Sequence, residues 1–204
     1  MRDIFNQELK QLGSDLRTMA SQVATAIERA AESLSNGDII VAEQVIDADE
    51  RINDLQQDID DMCIMLLARQ QPVAGDLRLI TAALRMISDM ERIGDQTCDI
   101  ADITKEIEDN SMIEKLPLRD MAEATIRMLT DSVDSFVRSD RNLAQKVMEA
   151  DDFVDGKFQQ IKDQLIGFLT EQPDKSEVFL DFLMIAKYYE RIGDHAVNIA
   201  EWVE

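Results

Sequence analysis

The chain of 204 residues has few side chains that interrupt helices and few aromatic ones. It contains 7 glycines and 3 prolines, and aromatic residues make up only 5% of it, whereas methionine occurs 11 times. A low content of glycine and proline favours long uninterrupted helices. The length is sufficient for a hydrophobic core in one or two domains. We therefore predict an all-α protein.

Positive charge is also scarce, since 21 lysines and arginines face 42 aspartates and glutamates for a net charge of -21. Nucleic-acid phosphates and anionic lipid headgroups bind positive surfaces, so we expect no nucleic acid among the partners. Cations and basic protein patches are the natural ligands of such a chain. No uncharged apolar run reaches membrane-spanning length, and the first residues do not form a signal peptide. We expect a cytoplasmic protein without direct membrane insertion.

Cysteine is rare as well. Cys63 and Cys98 are the two cysteines, and they do not form a Cys-x-x-Cys motif. We interpret them as buried thiols in a reducing compartment.

The sequence Glu-Arg-Ile-Gly-Asp occurs at residues 91–95 and again at residues 190–194, a separation of 190 − 91 = 99 residues. A recurrence of this kind indicates a duplicated structural unit. Within a helix the glutamate and the aspartate of each copy lie one turn apart on one face, where like charges repel by a few tenths of a kcal/mol. A mid-helix glycine costs about 1 kcal/mol more than alanine. These two unfavourable features predict a bound cation or the close approach of a neighbouring helix.

Apolar residues at steps of three and four predict three helices in each half of the chain. We expect Gly37 to end the first helix in the left-handed conformation and Asp38 to cap the second. The short connections favour two pseudo-symmetric antiparallel three-helix bundles, packed as one compact unit, with residues 1–110 in the first, residues 111–116 as the linker and residues 117–204 in the second. The predicted helices are Phe5–Ser33, Ile39–Gln70, Val73–Glu108, Leu118–Val137, from Ser139 or Asp140 to the residue before Pro173, and Glu177–Val203.

Antiparallel pairing of the last two helices predicts one cluster of four carboxylates, Asp151, Asp155, Glu190 and Asp194. The equivalent residues of the first half are Asp49, Asn53, Glu91 and Asp95, with Asp99 one turn beyond. Oxygen ligands of this kind suit iron, manganese, zinc or magnesium. The alternative is a solvated acidic face, and helical geometry predicts that Glu91, Asp95, Asp99 and Asp102 form an outward-facing ridge. Because Asn53 is neutral, we expect the second half to hold the better metal site.

We assign structural roles, rather than roles as metal ligands, to three other polar residues near the motifs. His195 lies five residues after Glu190, so it does not complete the Glu-x-x-His motif of di-iron bundles, and we interpret it as a surface or bundle-contact histidine. Arg92 and Arg191 are expected to pair with flanking acids such as Asp89, Asp95 and Asp194.

These motifs resemble the PhoU family of phosphate-signalling proteins over nearly the whole chain. The resemblance rests on the doubled Glu-Arg-Ile-Gly-Asp, on Leu-Ala-Arg-Gln-Gln-Pro-Val-Ala-Gly-Asp-Leu-Arg at residues 67–78, and on Asn-Ile-Ala-Glu at residues 198–201. It implies paired three-helix bundles, a homodimer, and metal clusters of iron, zinc or another divalent cation at the acidic motifs. This family pattern is matched by Asp49, Glu91, Asp95, Asp99, Asp151, Asp155, Glu190 and Asp194, although Asn53 and Asp99 depart from its usual residues.

The resemblance also implies a regulator of phosphate uptake and of phosphate-starvation signalling. Its partners would be the ATPase subunit of a phosphate ABC transporter and a membrane sensor histidine kinase, and the protein would reach the membrane only through them. Two alternatives remain open, a metal-dependent enzyme on a helical bundle and a plain helical scaffold or adaptor. The enzyme lacks support because no nucleophile set or phosphate-binding loop is found and the chain has one histidine.

Overall fold

The structure is a computed structural model, and it describes residues 2–70, 72 and 74–203. Six long α-helices make up the described chain, as predicted, and two short 3-10 turns precede α4 and α6. Their bounds are α1 Arg2–Asn36, α2 Ile39–Gln70, α3 Ala74–Glu106, α4 Leu118–Arg138, α5 Arg141–Glu171 and α6 Ser176–Glu201, with the 3-10 turns at Ile113–Lys115 and Pro173–Lys175.

The predicted cap between α1 and α2 is confirmed. Gly37 has a φ of 65°, which is the left-handed conformation that favours glycine. Asp38 Oδ1 then accepts hydrogen bonds from the backbone N–H groups of Ile40 and Val41, at 3.1 and 3.2 Å. These bonds satisfy two of the amide groups that the start of a helix leaves unpaired.

Differences from the predicted bounds are small and concern helix ends. Of the two residues predicted to cap α5, Asp140 does so, because its Oδ1 accepts a hydrogen bond of 3.0 Å from the Leu143 N–H. Ser139 instead ends α4, with a φ of 53°. α3 ends at Glu106 rather than Glu108. The predicted start of this helix, Val73, lies outside the described residues.

The helices pack as two three-helix bundles that share one hydrophobic core. α2 packs on α1 and α3, and α5 packs on α4 and α6. The bundles meet through α1 against α4 and through α3 against α6. Tyr189, Phe179 and Phe182 are among the largest fully buried side chains of this core. α3 and α6, which carry the two motifs, therefore lie side by side between the outer helices α2 and α5.

Met65 and Leu77 belong to the apolar pattern that predicts α2 and α3, but both are exposed. Met65 is 46% exposed because it lies beside the buried Leu66, about 100° further round α2. Leu77 is 43% exposed because it belongs to the first turn of α3, at the end of the bundle. None of the described helices combines the length and the hydropathy that a membrane crossing requires.

Candidate functional site: two carboxylate clusters

The second carboxylate cluster consists of Asp151 and Asp155 on α5 with Glu190 and Asp194 on α6. The pKa of Asp151 is raised to about 6, first by burial and then by the negative charges of Asp155, Asp194 and Glu190. The pKa of Asp194 is raised too, first by burial and then by the charge of Glu190. The structure therefore brings the four predicted carboxylates into mutual electrostatic contact.

Gly193 allows α5 to approach α6 at this cluster. A Cβ atom at this position would lie 3.1 Å from Asp151 Oδ1 and 3.6 Å from Val154 Cγ1. The mid-helix glycine thus provides the close approach that the sequence predicted. Asp151 Oδ1 is buried and accepts no hydrogen bond from any described residue. A buried carboxylate oxygen without a donor is unfavourable, so this atom is available to a cation.

One lysine partly neutralises the second cluster. Lys187 Nζ forms an ion pair with Glu190 Oε2 and lies 5.5 Å from the centre of the Phe158 ring. Its charge also opposes the rise in the pKa of Asp194 that burial and Glu190 cause. Asp151 does not share in this compensation, because the charges with the largest effects on its pKa are those of four carboxylates, Asp155, Asp194, Glu190 and Asp152.

The first carboxylate cluster consists of Asp49 on α2 with Glu91 and Asp95 on α3. Burial, the largest cause, raises the pKa of Asp49, and the charge of Asp95 raises it further. The pKa of Glu91 is raised in the same way by burial and by Asp95. A Cβ atom at Gly94 would lie 3.0 Å from Asp49 Oδ1, so the contact of the second motif is repeated here.

Neutral and basic groups compensate the first cluster more fully than the second. Asn53 Nδ2 donates a hydrogen bond of 2.9 Å to Asp49 Oδ2. Arg92 lies 3.3 Å from Asp95 Oδ2 and 3.6 Å from Glu91 Oε2, which confirms its predicted pairing. The departure at Asn53 thus replaces a repelling charge by a hydrogen-bond donor.

The sequence prediction missed Cys98, which lies beside the first cluster. Its thiol makes a hydrogen bond with Asp49, and burial together with Asp49, Asp95 and Asp102 raises its pKa to about 12. The available signal was helical spacing, because Cys98 follows Asp95 by three residues and shares its face. At the same position of the second repeat, 98 + 99 = 197, the chain has valine. A sulfur donor therefore lies beside the first cluster and has no counterpart at the second.

The predicted outward-facing ridge on α3 is wrong for two of its four members, Glu91 and Asp99. The side chain of Asp102 is 61% exposed, whereas Glu91 is only 25% exposed and faces Asp49 of α2. Asp99 faces α6, where it forms a hydrogen bond with the Tyr188 side chain. The prediction failed because α3 has neighbours on several sides, so its polar face is covered by α2 and α6.

Polar contacts between α3 and α6 follow the internal symmetry of the chain. Asp89 Oδ1 lies 2.9 Å from His195 Nδ1 and accepts a hydrogen bond of 3.2 Å from Asn198 Nδ2. The repeat distance of 99 residues relates Asp89 to Tyr188 (89 + 99 = 188) and Asp99 to Asn198 (99 + 99 = 198). The Asp89–Asn198 and Tyr188–Asp99 contacts are therefore equivalent. His195 is therefore a bundle-contact histidine, as interpreted from the sequence.

Arg191 does not form its predicted pair. Burial raises the pKa of Asp99, and the charge of Arg191 across the α3–α6 contact opposes that rise. Between described residues there is no ion pair of Arg191 with Asp194. The two arginines of the repeated motif thus have different partners.

Within each cluster the carboxylates are close enough to shift each other's pKa, but they do not converge on one point. Within residues 2–70, 72 and 74–203, no group of three or more His, Cys, Asp or Glu side chains is positioned to hold a metal ion. Like charges separate where no cation lies between them, and a bound cation reverses that preference. The raised pKa values, the buried Asp151 Oδ1 and the oxygen-rich donor set fit a hard or borderline divalent cation.

Comparison with known proteins gives consistent matches. The family model described as the PhoU domain matches residues 16–104 and 118–203. The chain is 36% identical over 203 residues to the phosphate-specific transport system accessory protein PhoU homolog of Clostridium acetobutylicum, covering 98% of this chain and 92% of that protein.

Two crystal structures share the fold along the chain. PhoU from Pseudomonas aeruginosa superimposes with a TM-score of 0.88 at 32% identity, covering 98% of this chain and 96% of that one. The phosphate transport system regulatory protein PhoU from Streptococcus pneumoniae also has a TM-score of 0.88, at 27% identity and over 98% and 94% of the two chains.

Alanine substitutions should distinguish the motif glycine Gly193 from a glycine without neighbours. No atom lies within 4 Å of a Cβ at Gly156, so Gly156→Ala should stabilise α5 by about 1 kcal/mol through helix propensity. Gly193→Ala gains the same propensity but must displace Asp151, and we expect its free energy of unfolding to fall at least about 1 kcal/mol below that of Gly156→Ala. Urea denaturation measures both values, and equal stabilisation by the two variants would contradict the close approach.

The stability of the metal-free protein should fall as Asp151 ionises. Its folded-state pKa of about 6 exceeds the ordinary value of 3.8, so the native state binds this proton more tightly than the unfolded state. The resulting loss of stability is absent below pH 4, develops between pH 4 and pH 6, and is complete above that window. Because Asp151 is only partly buried, solvent screens its charge, and we expect Asp151→Asn to gain only about 1 kcal/mol at pH 7.

This pH dependence is measured by urea denaturation in the presence of a chelator at pH 4 and pH 7. Asp163→Asn is the control, because it removes one charge from an exposed position of the same helix whose carboxylate accepts a hydrogen bond from Gln159. A gain for Asp151→Asn that is the same at both pH values would show that Asp151 has an ordinary pKa.

Proposed function

The chain belongs to the PhoU family, and from this we propose that it is a cytosolic regulator of phosphate uptake and phosphate-starvation signalling. The observation that supports the proposal is the extent of the similarity. Relatives whose names describe an accessory protein of phosphate-specific transport match over 98% of this chain. The regulator acts by binding proteins, namely the ATPase subunit of a phosphate ABC transporter and a sensor histidine kinase. We propose no enzymatic activity, and a homodimer as the assembled form.

The charge and the exposed apolar residues of the molecule are suited to such partners. Large exposed apolar side chains lie near the α2–α3 turn and near the α5–α6 turn, and they are Ile64, Met65 and Leu77 at the first and Ile166, Leu180 and Met184 at the second. With a net charge of -21, the chain favours a partner that presents apolar side chains within a basic rim. We propose that the two hairpin ends contact the transporter ATPase.

Deletion of the gene in the source organism should leave phosphate-starvation genes active in high phosphate, or cause excess phosphate uptake. Wild-type protein should restore repression, and Ile64→Glu should fail because it places a charge in the apolar contact. Reporter expression and phosphate uptake are the measurements.

Ile40→Glu is the matched control for this variant. Ile40 is 67% exposed at the opposite end of α2, against 53% for Ile64, and should tolerate glutamate with full repression. Normal regulation in the deletion strain, with no second copy of the gene to compensate, would contradict the regulatory role. Full activity of Ile64→Glu would contradict only the proposed contact surface.

We also propose that the two carboxylate clusters bind divalent metal ions, with the second cluster as the tighter site. Asp151, Asp155, Glu190 and Asp194 would hold the metal in the second bundle, and Asp49, Glu91 and Asp95 would hold it in the first, with Asp99 and Cys98 adjacent. The support is electrostatic, because the buried oxygen of Asp151 has no donor, whereas Asn53 and Arg92 already stabilise the first cluster. A bound metal supplies positive charge that cross-links α5 to α6 and α2 to α3.

Binding to the folded state alone should raise the melting temperature. At a metal concentration about 100-fold above the dissociation constant, the expected stabilisation is about 2.7 kcal/mol. The double variant Asp151→Asn with Asp155→Asn should lose most of the Mn²⁺- or Zn²⁺-induced shift in calorimetry relative to chelated protein. The control Asp152→Asn with Asp163→Asn removes two charges from the same helix and should retain the shift.

The ranking of the two clusters is tested by a third variant, Asp49→Asn with Asp95→Asn. We expect it to lose less of the metal-induced shift than the Asp151 and Asp155 double variant. A larger loss would show that the first cluster binds more tightly. Equal shifts in wild type and in the Asp151 and Asp155 double variant would show that the second cluster is not the metal site.

A further inference from the structure

A cavity of about 640 Å³ lies between the two bundles, and none of the predicted metal ligands lines it. Its wall is formed by the end of α1, the chain that leads into α4, the first turn of α4, and side chains of α5 and α6. The volume is in the range of small-molecule binding sites, which is about 300–1,000 Å³. The cavity therefore has room for an organic molecule.

Basic side chains outnumber acidic ones in this wall, although acidic residues are twice as frequent in the chain. The wall includes Lys115, Arg119 and Lys157 against Glu114 and Asp120. Lys157 Nζ lies 2.7 Å from Asp120 Oδ2, which already pairs these two charges. Such a local excess of positive charge selects an anion.

Lys115 and Arg119 are the basic residues available to a ligand. Lys115 Nζ lies 3.6 Å from the Met112 sulfur and 5.9 Å from the centre of the Phe168 ring, and no ion pair with a described carboxylate engages it. Arg119 Nε lies 3.2 Å from Glu123 Oε1, but its side chain is 80% exposed and keeps further N–H donors free for a ligand.

The start of α4 adds backbone donors to the same wall. α4 begins at Leu118, and the preceding residue, Pro117, provides no side-chain hydrogen bond to the first turn. The first amide groups of a helix have no partner within the helix, and the positive end of the helix dipole attracts anions. Leu118 and Arg119 both line the cavity, so these amide groups lie at its edge.

Tyr189 provides a separate observation that indicates a ligand. It is completely buried, it lines the cavity, and its hydroxyl group has no hydrogen-bond partner among the described residues. A buried hydroxyl without a partner costs stability, and a phenylalanine would avoid that cost. The equivalent position of the first repeat, 189 − 99 = 90, is a methionine. Packing of the bundle therefore does not require this hydroxyl.

Two further side-chain oxygens without a hydrogen-bond donor belong to residues that are hydrogen-bonded to the same wall. Asn110 donates to the Leu34 carbonyl and Gln164 donates to the Lys115 carbonyl, at 3.3 and 3.2 Å, and both of these carbonyl groups belong to residues that line the cavity. The side-chain oxygens Asn110 Oδ1 and Gln164 Oε1 are buried without a donor. These two side chains do not line the cavity, but each is hydrogen-bonded to its wall.

We propose that the cavity binds a small organic phosphomonoester, such as a nucleoside monophosphate. Its phosphate group is held by Lys115, Arg119 and the first amide groups of α4, and the Tyr189 hydroxyl donates a hydrogen bond to the ligand. A phosphate accepts hydrogen bonds from several directions, which matches donors that come from different elements. The organic part occupies the volume that an inorganic phosphate ion would leave empty. This site does not depend on the regulatory role proposed above.

Isothermal titration calorimetry on chelated protein tests the proposal with three probes, AMP, inorganic phosphate and adenosine. The chelator removes metal ions that could bind phosphate at the carboxylate clusters. AMP should bind more tightly than either other probe. Lys115→Gln and Arg119→Gln should each weaken AMP binding about tenfold, and Tyr189→Phe about fivefold, as expected for the loss of a charged and of a neutral hydrogen bond.

Lys146→Gln is the matched control, because it removes the same charge from an exposed position of α5 that does not line the cavity. It should bind AMP within about twofold of wild type. Tyr189→Phe should melt no lower than wild type in the absence of AMP, which separates loss of binding from loss of folding.

Four results would overturn the proposal. They are the absence of AMP binding to wild type, equal binding of AMP and adenosine, equal binding of AMP and inorganic phosphate, and equal weakening by Lys146→Gln and Lys115→Gln.

Discussion

The architecture depends on a close contact between a glycine and a carboxylate that occurs twice. At Gly94 and at Gly193, the missing side chain leaves room for an aspartate oxygen of the neighbouring outer helix, within 3.0 and 3.1 Å of the absent Cβ. This contact draws α2 onto α3 and α5 onto α6, and it places carboxylates of different helices within each other's electric field. The fold therefore includes two unfavourable features, the repulsion between carboxylates and the low helix propensity of a mid-helix glycine. A bound cation can offset their cost.

The two repeats share this contact but differ in how its charge is compensated. In the first repeat an amide, an arginine and a thiol surround Asp49 and its neighbours. In the second repeat Lys187 pairs with Glu190, and Asp151 is left with a buried oxygen that accepts no hydrogen bond. The second cluster therefore gains more from a bound cation. Divergence of the repeats has retained the backbone geometry and changed the electrostatics.

Much of the fold followed from the sequence, because helix periodicity and end signals are local properties. The six helices, the cap at Gly37 and Asp38, and the break at Pro173 are all encoded within a few residues of where they act. The pairing of Asp151 with Glu190 also followed, since short connections force neighbouring helices to be antiparallel.

What the sequence did not reveal depends on contacts between distant residues. Periodicity identifies one apolar face, but α3 is covered by α2 on one side and by α6 on another, so Asp99 turned inward to Tyr188. Cys98 was missed because its spacing from Asp95 shows only a shared face of α3, whereas its contact with Asp49 depends on the approach of α2. The cavity near Tyr189 is built from five elements, and no local pattern describes such a junction.

α6 connects all of these features, because successive residues of a helix point about 100° apart. Tyr189 faces the cavity beside α4, Glu190 faces α5 in the second cluster, and Tyr188 and His195 face α3 of the other bundle. A shift or rotation of α6 would change all three contacts at once, whereas α2 and α5 each pack within a single bundle. The cavity, the second carboxylate cluster and the inter-bundle contact therefore share one rigid element, α6.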